Sequence, residues 1–64
     1  MTTFIKLPKV RSRTGLSATE IYRRISRGAF PKQVQLGAKS VAWVEEEIEA
    51  WQQAQIAASR KEDS

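Results

Sequence analysis

A short helix in the first half of the chain is specified at both of its ends. Ser17 and Glu20 have the spacing of a capping box, in which the serine hydroxyl accepts from the backbone of the glutamate and the glutamate side chain reaches back to the serine. Leu16 and Ile21 flank this box with the spacing of a hydrophobic staple. Gly28 can adopt the positive φ that ends many helices. The sequence therefore predicts a helix with defined bounds at this position.

The two sides of this predicted helix differ in chemistry. At about 100° per residue, one side is apolar and consists of Ala18, Ile21, Tyr22 and Ile25. The other side is polar and mostly basic, and consists of Thr19, Glu20, Arg23, Arg24 and Arg27. We expect the apolar side to pack in the core and the basic side to lie at the surface.

Shorter elements are expected before this helix. The β-forming residues of Thr2–Lys6 predict a short edge strand. Because Pro8 suits the first turn of a helix, a first helix is expected from about Pro8 to Arg13. Thr14 and Gly15 then predict a turn, with the glycine free to adopt a positive φ.

A β-hairpin is expected after the helix. Residues 33–36 alternate polar and apolar side chains, as a half-buried strand does. Residues 37–40 make a plausible turn, and residues 41–43 can return antiparallel to the first strand. This pairing places Lys39 at the tip of the hairpin.

The last helix is predicted to begin near Glu45, where three consecutive glutamates suit the positive end of the helix dipole. Its apolar stripe consists of Val44, Ile48 and Trp51, and its packing is expected to fade past the mid-fifties. The order of the elements predicts a mainly α winged helix-turn-helix domain with a small β-hairpin over residues 1–58. The polar residues 59–64 are predicted to form a disordered tail.

Charge is distributed unevenly along the chain. Up to Ser40 there are nine Lys and Arg residues and one acid, which gives a net charge of +8. From Val41 onward six acids oppose two basic residues, so this part carries −4 and the whole chain +4. The asymmetry suits the binding of a polyanion at one face. A basic surface that is only solvated explains the composition equally well.

Composition and motifs exclude several classes of protein. The absence of Cys and His excludes the usual zinc sites, disulfides and His-based triads. No organised base, oxyanion loop or phosphate-binding motif accompanies the Ser and Lys residues, so we expect neither enzymatic activity nor a cofactor. No apolar run approaches the roughly 18 residues of a membrane span, and the first residues lack the long hydrophobic stretch that is typical of a signal peptide. We therefore expect a cytoplasmic protein without a membrane partner.

The predicted fold gives several polar side chains a role toward double-stranded DNA. The second helix would enter the major groove, with Thr19, Glu20 and Arg23 as candidates for base contacts. Arg23 suits a guanine edge, and Glu20 can accept from cytosine only if its capping role leaves an oxygen free. Backbone phosphate contacts are predicted for Lys9, Arg11, Arg13, Arg24 and Arg27. The wing is predicted to contact DNA through Lys39 and Ser40.

Structural roles also explain several prominent residues. Solvation accounts for Arg24 and Arg27 about as well as phosphate contact does, because exposed helix faces are commonly charged. Trp43 and Trp51 are expected in the core rather than stacked on bases. The glutamates at 45–47 are explained by the helix dipole rather than by a metal site.

Several short motifs are spread from about Leu7 to Trp51. They are Thr14-Gly15-Leu16-Ser17, Ile21-Tyr22-Arg23, Gly28, Phe30-Pro31, Trp43 and Ile48-Glu49-Ala50-Trp51. In combination they resemble the AlpA family. The resemblance implies a MerR/excisionase-like DNA-binding fold and a role as a transcriptional regulator or excisionase of a prophage or genomic island. Ala18 and Glu20 depart from the basic and small hydroxyl residues common at these positions in the family, which bears on the base sequence recognised.

Three functions remain open at this point. The first is an excisionase, or recombination directionality factor, which assists an integrase by binding and bending attachment-site DNA and self-associates cooperatively on it. The second is a transcription factor acting at a promoter. The third is a protein-interaction adaptor that binds its partner through the acidic last helix, the basic face being incidental. A steep loss of DNA binding with salt would count against the adaptor, since phosphate contacts release counterions.

Overall fold

The computed structural model describes residues 2–62 of the chain, with the side chains of residues 2–60. In chain order its elements are β1 (Phe4–Ile5), α1 (Leu7–Thr14), α2 (Ala18–Ser26), β2 (Val34–Gly37), β3 (Ser40–Val44) and α3 (Glu45–Glu62). Within these residues there are three helices and one small antiparallel sheet. The predicted architecture, a mainly α winged helix-turn-helix domain with a hairpin, is confirmed.

The sheet places the N-terminal strand beside the hairpin. Its strand order is β1-β3-β2, and both strand pairs are antiparallel. Ile5 of β1 is opposite Trp43 of β3. The backbone N–H of Glu45 donates to the carbonyl of Thr3 at 2.8 Å, which continues this contact to the start of α3. The predicted edge strand is therefore present in shorter form, and its pairing with β3 was not indicated by the sequence.

The core lies between the sheet and the helices. Val10 of α1, Ile21 of α2, Trp43 of β3 and Ile48 of α3 are completely buried. The partly buried side chains packed against the core are Leu7, Leu16, Ile25, Val41 and Trp51. The indole N–H of Trp43 donates to the carbonyl of Pro31 at 3.0 Å, so the buried ring has a partner for its polar atom. Trp43 thus has the core position that the sequence predicts.

Glycines end the first two helices as expected. Gly15 has φ 75°, and its N–H donates to the carbonyl of Arg11 at 2.8 Å. Gly28 has φ 72°, and the N–H groups of Gly28 and Ala29 donate to the carbonyls of Ile25 and Arg24 at 3.0 and 2.8 Å. The second pattern is a Schellman motif, which satisfies two carbonyls that a helix end leaves free. The chain therefore turns sharply at both points.

Helix α3 begins at Glu45 as predicted, while Val44 is the last residue of β3. Ile48 is buried and Trp51 half-buried, but residues 53–60 are exposed, so the packing ends at Gln52, earlier than the predicted position past the mid-fifties. Residues 59–62 continue α3, and residues 63 and 64 of the predicted tail lie outside the described residues. None of the helices in residues 2–62 has the length and hydropathy that a membrane-spanning segment requires.

Candidate nucleic-acid interface

Helix α2 is fixed to the rest of the domain along one side. The Ser17 hydroxyl accepts from the backbone N–H of Glu20 at 3.2 Å, which confirms the first half of the predicted capping box. Ile21 is completely buried. Tyr22 lies at the edge of the packed side, with 40% of its surface exposed and its ring centroid 6.2 Å from that of Trp43. These contacts leave the opposite, basic side of α2 at the surface.

The carboxylate of Glu20 lies close to all three arginines of this basic side. Its Oε1 lies 3.2 Å from Nη1 of Arg23, and its Oε2 lies 2.9 Å from Nε of Arg24 and 3.9 Å from Nη2 of Arg27. Both oxygens of Glu20 therefore face guanidinium groups. This differs from the second half of the predicted capping box, in which the carboxylate reaches back to Ser17, and it competes with the predicted contact to cytosine.

The three arginines differ in how open they are to a ligand. The side chain of Arg24 is 29% exposed, and its guanidinium lies 6.0 Å from the ring centroid of Trp51 in α3. The side chains of Arg23 and Arg27 are each 61% exposed. Arg24 is therefore part of the contact between α2 and α3, whereas Arg23 and Arg27 present their charges to solvent.

Thr19 completes the exposed side of α2. It lies in the first turn of the helix and is exposed. Arg23 is four residues further along, so both side chains lie on the same face one turn apart. The predicted base-contacting residues Thr19 and Arg23 are thus brought together at the surface.

The basic residues of α1 are divided between the surface and a contact with α3. Lys9 and Arg11 are exposed, and Arg11 lines an open cleft of about 550 Å³ together with Gly15 and Ser17. Arg13 has a different position, since its guanidinium lies 2.9 Å from Glu45 and 3.6 Å from Glu49 and its side chain is only 24% exposed. Of the residues predicted to contact phosphate, Lys9 and Arg11 are thus exposed, whereas Arg13 is paired with acids of α3.

Arg13 and α3 are joined by hydrogen bonds as well as by charge. Gln52 donates to the backbone carbonyl of Arg13 at 2.8 Å and accepts from its guanidinium at 3.2 Å. The sequence contains a signal for this contact, because Glu45, Glu49 and Gln52 recur at helical spacing on one face of α3. That spacing indicates a polar face but does not identify its basic partner.

The two polar residues of the predicted wing differ in their surroundings. Lys39 is exposed in the turn between β2 and β3. Ser40 accepts from Nζ of Lys6 at 2.7 Å, and the same ammonium group lies 3.4 Å from the carbonyl of Val41. Ser40 therefore helps to attach the hairpin to the segment before α1, a contact that the sequence did not indicate.

Known proteins resemble this chain over most of its length. Residues 3–56 match the family model described as "Prophage CP4-57 regulatory protein (AlpA)". The chain belongs to the AlpA family. The match covers both short helices, the sheet and the packed part of α3. The resemblance drawn from the motifs is thereby confirmed.

Two relatives are similar to this member of the AlpA family. "Uncharacterized protein ORF88" of Enterobacteria phage P4 is 43% identical over 58 residues, an alignment that covers 91% of this chain and 66% of the relative. "DNA-binding transcriptional activator AlpA" of Escherichia coli strain K12 is 38% identical over 53 residues, covering 73% of this chain and 76% of the relative. The chain thus spans about two thirds of the length of the phage P4 relative.

Proposed function

We propose that this chain is a regulator that binds double-stranded DNA in a sequence-dependent manner by placing α2 in the major groove. The observation that carries the proposal is the two-sided character of α2, which buries Ile21 and exposes Thr19 and Arg23 on the opposite side. The major groove is about 12 Å wide and admits an α-helix. The name of the Escherichia coli relative, a DNA-binding activator, supports the same conclusion.

The exposed residues divide naturally into base contacts and phosphate contacts. We place Thr19 and Arg23 at base edges, where the fork of an arginine can bind guanine through two hydrogen bonds. Phosphate contacts fall to the exposed Lys9, Arg11 and Arg27 and, on the wing, to Lys39. Arg13, Arg24 and Ser40 act indirectly in this proposal, because their side chains hold the interface elements in place.

For the biological role we propose an excisionase, or recombination directionality factor. Such a protein bends attachment-site DNA and helps an integrase to excise an element, and several copies bind adjacent sites cooperatively. The prophage family description and the relative from phage P4 support this role. A domain this small has room for only one recognition helix, so binding at repeated sites would supply the specificity that one contact surface lacks.

A promoter-binding transcription factor is the second candidate. The Escherichia coli relative, named a DNA-binding transcriptional activator, favours it directly. The same DNA complex serves both roles when an attachment site overlaps a promoter. The two roles therefore differ in the location of the bound sites and in the requirement for an integrase.

The first experiment selects duplexes from a random-sequence pool with the purified protein and measures their affinity at several salt concentrations. We expect one enriched motif, and an affinity that falls steeply with salt because bound phosphates release counterions. Arg23→Ala should abolish the enrichment, whereas Arg60→Ala removes one exposed positive charge from α3 and should preserve it. If no motif is enriched and DNA binding does not fall steeply with salt, the result favours the protein-interaction adaptor instead.

A second experiment separates the two biological roles. Sheared DNA of the source genome is incubated with the immobilised protein, and the fragments that remain bound are sequenced. Enrichment at the ends of an integrated element, together with increased excision in a reconstituted integrase reaction, supports the excisionase. Enrichment at promoters remote from such ends, with no effect on excision, supports the transcription factor.

A further inference from the structure

The position of Glu20 is unusual for a surface that binds an anion. It is the only acid within α2, and three guanidinium groups lie within 4 Å of its carboxylate. Its side chain is 27% exposed, so a ligand at the exposed face of α2 meets the carboxylate as well as the arginines. One negative charge therefore lies where the proposed function calls for positive charge.

The pairs of Glu20 follow from its place in the helix. Arg23, Arg24 and Arg27 are three, four and seven residues further along, which places all three on its own face. Since the backbone N–H of Glu20 is held by Ser17 at 3.2 Å, the carboxylate projects from a fixed first turn. The helical spacing and the Ser17 cap therefore determine the contacts of the Glu20 carboxylate.

We propose that Glu20 is a specificity-determining residue that acts as an internal counter-ion for Arg23 and Arg27. This inference rests on the proposed binding of DNA through α2. A phosphate is itself an anion, so the carboxylate repels it when it approaches either arginine, and binding that depends on phosphate alone is weakened. A guanine edge is uncharged and is repelled less, and it can use the N–H donors of Arg23 that the contact to Glu20 through Nη1 leaves available.

The arrangement also orients Arg23. A long arginine side chain loses rotamer freedom when it binds, and a partner on its own helix restricts that freedom beforehand. The carboxylate holds one end of the guanidinium and leaves Nε and Nη2 available for a base edge. Glu20 is in this view a positioning residue, which improves the ratio of specific to non-specific binding without touching a base.

The test compares Glu20→Gln with Glu47→Gln on two probes. The probes are a duplex of random sequence and the duplex selected by the wild-type protein. Glutamine at position 20 preserves the volume of the side chain and removes its charge. Glu47 is an exposed acid in the first turn of α3, so its replacement changes the net charge equally at another place. Thermal melting of both variants establishes that each is folded.

We expect Glu20→Gln to bind the random duplex on the order of tenfold more tightly than the wild type, as the loss of one close charge interaction implies. The slope of log affinity against log salt should steepen by about 0.9 for each additional phosphate that the variant binds. Affinity for the selected duplex should change much less, so the specificity ratio falls. Glu47→Gln should leave the ratio close to that of the wild type.

Two results would overturn the inference while the proposed function stands. If Glu20→Gln changes binding to the random duplex no more than Glu47→Gln does, the carboxylate is not a local counter-ion. If Glu20→Gln loses only the selected duplex and binds the random one as before, Glu20 contacts a base itself. A wild-type protein that binds neither duplex contradicts the proposed function, and the inference with it.

Discussion

Helices α1 and α2 both carry several basic residues, but these residues have different surroundings. On α1 the charges are separated, because Arg13 pairs with acids of α3 while Lys9 and Arg11 remain exposed. On α2 a single acid, Glu20, lies near every arginine of the helix. The difference shows that the exposure of each side chain and the acids near it, rather than the number of basic residues, decide which charges are available to a ligand.

Exposure separates the residues that hold the fold from the residues that face solvent. Arg13 and Arg24 lie against α3, and Trp43 fills the core beneath α2. Arg11, Arg23 and Lys39 have exposed side chains. Changes in the first group should lower the free energy of unfolding, and changes in the second should lower DNA affinity. A substitution in the first group that lowers only DNA affinity, or one in the second group that lowers only stability, would contradict this division.

The largest effect is expected for Trp43→Ala. Trp43 is completely buried, and its indole N–H donates to the carbonyl of Pro31. Removing a buried aromatic ring costs about 3 to 5 kcal/mol, which is comparable to the whole stability of a domain of this size. Thermal or urea denaturation monitored by circular dichroism should show that the variant is largely unfolded.

Phe4→Ala is the matched control for this substitution. Phe4 is also an aromatic residue of the sheet, but 48% of its surface is exposed. Its removal should cost less than about 1 kcal/mol, as surface substitutions usually do. Equal losses of stability in the two variants would contradict the core described above.

Arg23→Ala should have the largest effect on binding. A bidentate contact to guanine contributes about 1 to 3 kcal/mol of discrimination, so affinity for the selected duplex should fall while that for a random duplex changes little. Arg23→Lys retains the charge but not the fork, and should also lose the preference. Equal weakening on both duplexes, measured by fluorescence anisotropy, would show that Arg23 contacts phosphate instead.

Much of the fold was predictable because its signals are local. The capping serine, the two glycines with positive φ, and the alternation that indicates the hairpin all act within a few residues. The pairing of β1 with β3 was not predictable, since Phe4 and Ile5 are too few to specify a partner some forty residues away. Contacts of that kind depend on the assembled core.

The candidate site likewise has features that the local sequence predicts and features that only the packed structure shows. The exposed side of α2 follows from helical spacing, and the structure places Thr19 and Arg23 on it as expected. The pairs of Glu20 were also within reach of the sequence, because Arg23 and Arg24 have the spacing that brings helix neighbours together. The partners of Arg13 and the contact between Lys6 and Ser40 join distant segments, and only the packed structure reveals them.

Two substitutions on α1, with effects of intermediate size, test the distinction between residues that hold the fold and residues that face solvent. Arg13→Ala removes a half-buried ion pair and the side-chain hydrogen bond to Gln52, and should lower the free energy of unfolding by about 1 kcal/mol. Arg11→Ala removes the same charge from an exposed position and should leave stability nearly unchanged while weakening DNA binding. Melting curves and salt-dependent affinities of both variants should therefore show opposite patterns. Similar behaviour of the two variants would mean that the pairing of Arg13 with α3 has no functional consequence.

The smallest effect is expected for Lys39→Ala at the tip of the hairpin. Lys39 is exposed, so its removal should not change the melting temperature. Loss of one bound phosphate should weaken the selected and random duplexes alike, and should reduce the slope of log affinity against log salt by about 0.9. Because the slope depends directly on how many phosphates are bound, it detects this change even where the affinity itself moves by a few fold. An unchanged slope would show that the hairpin does not contact DNA, and recognition would then depend on the helices alone.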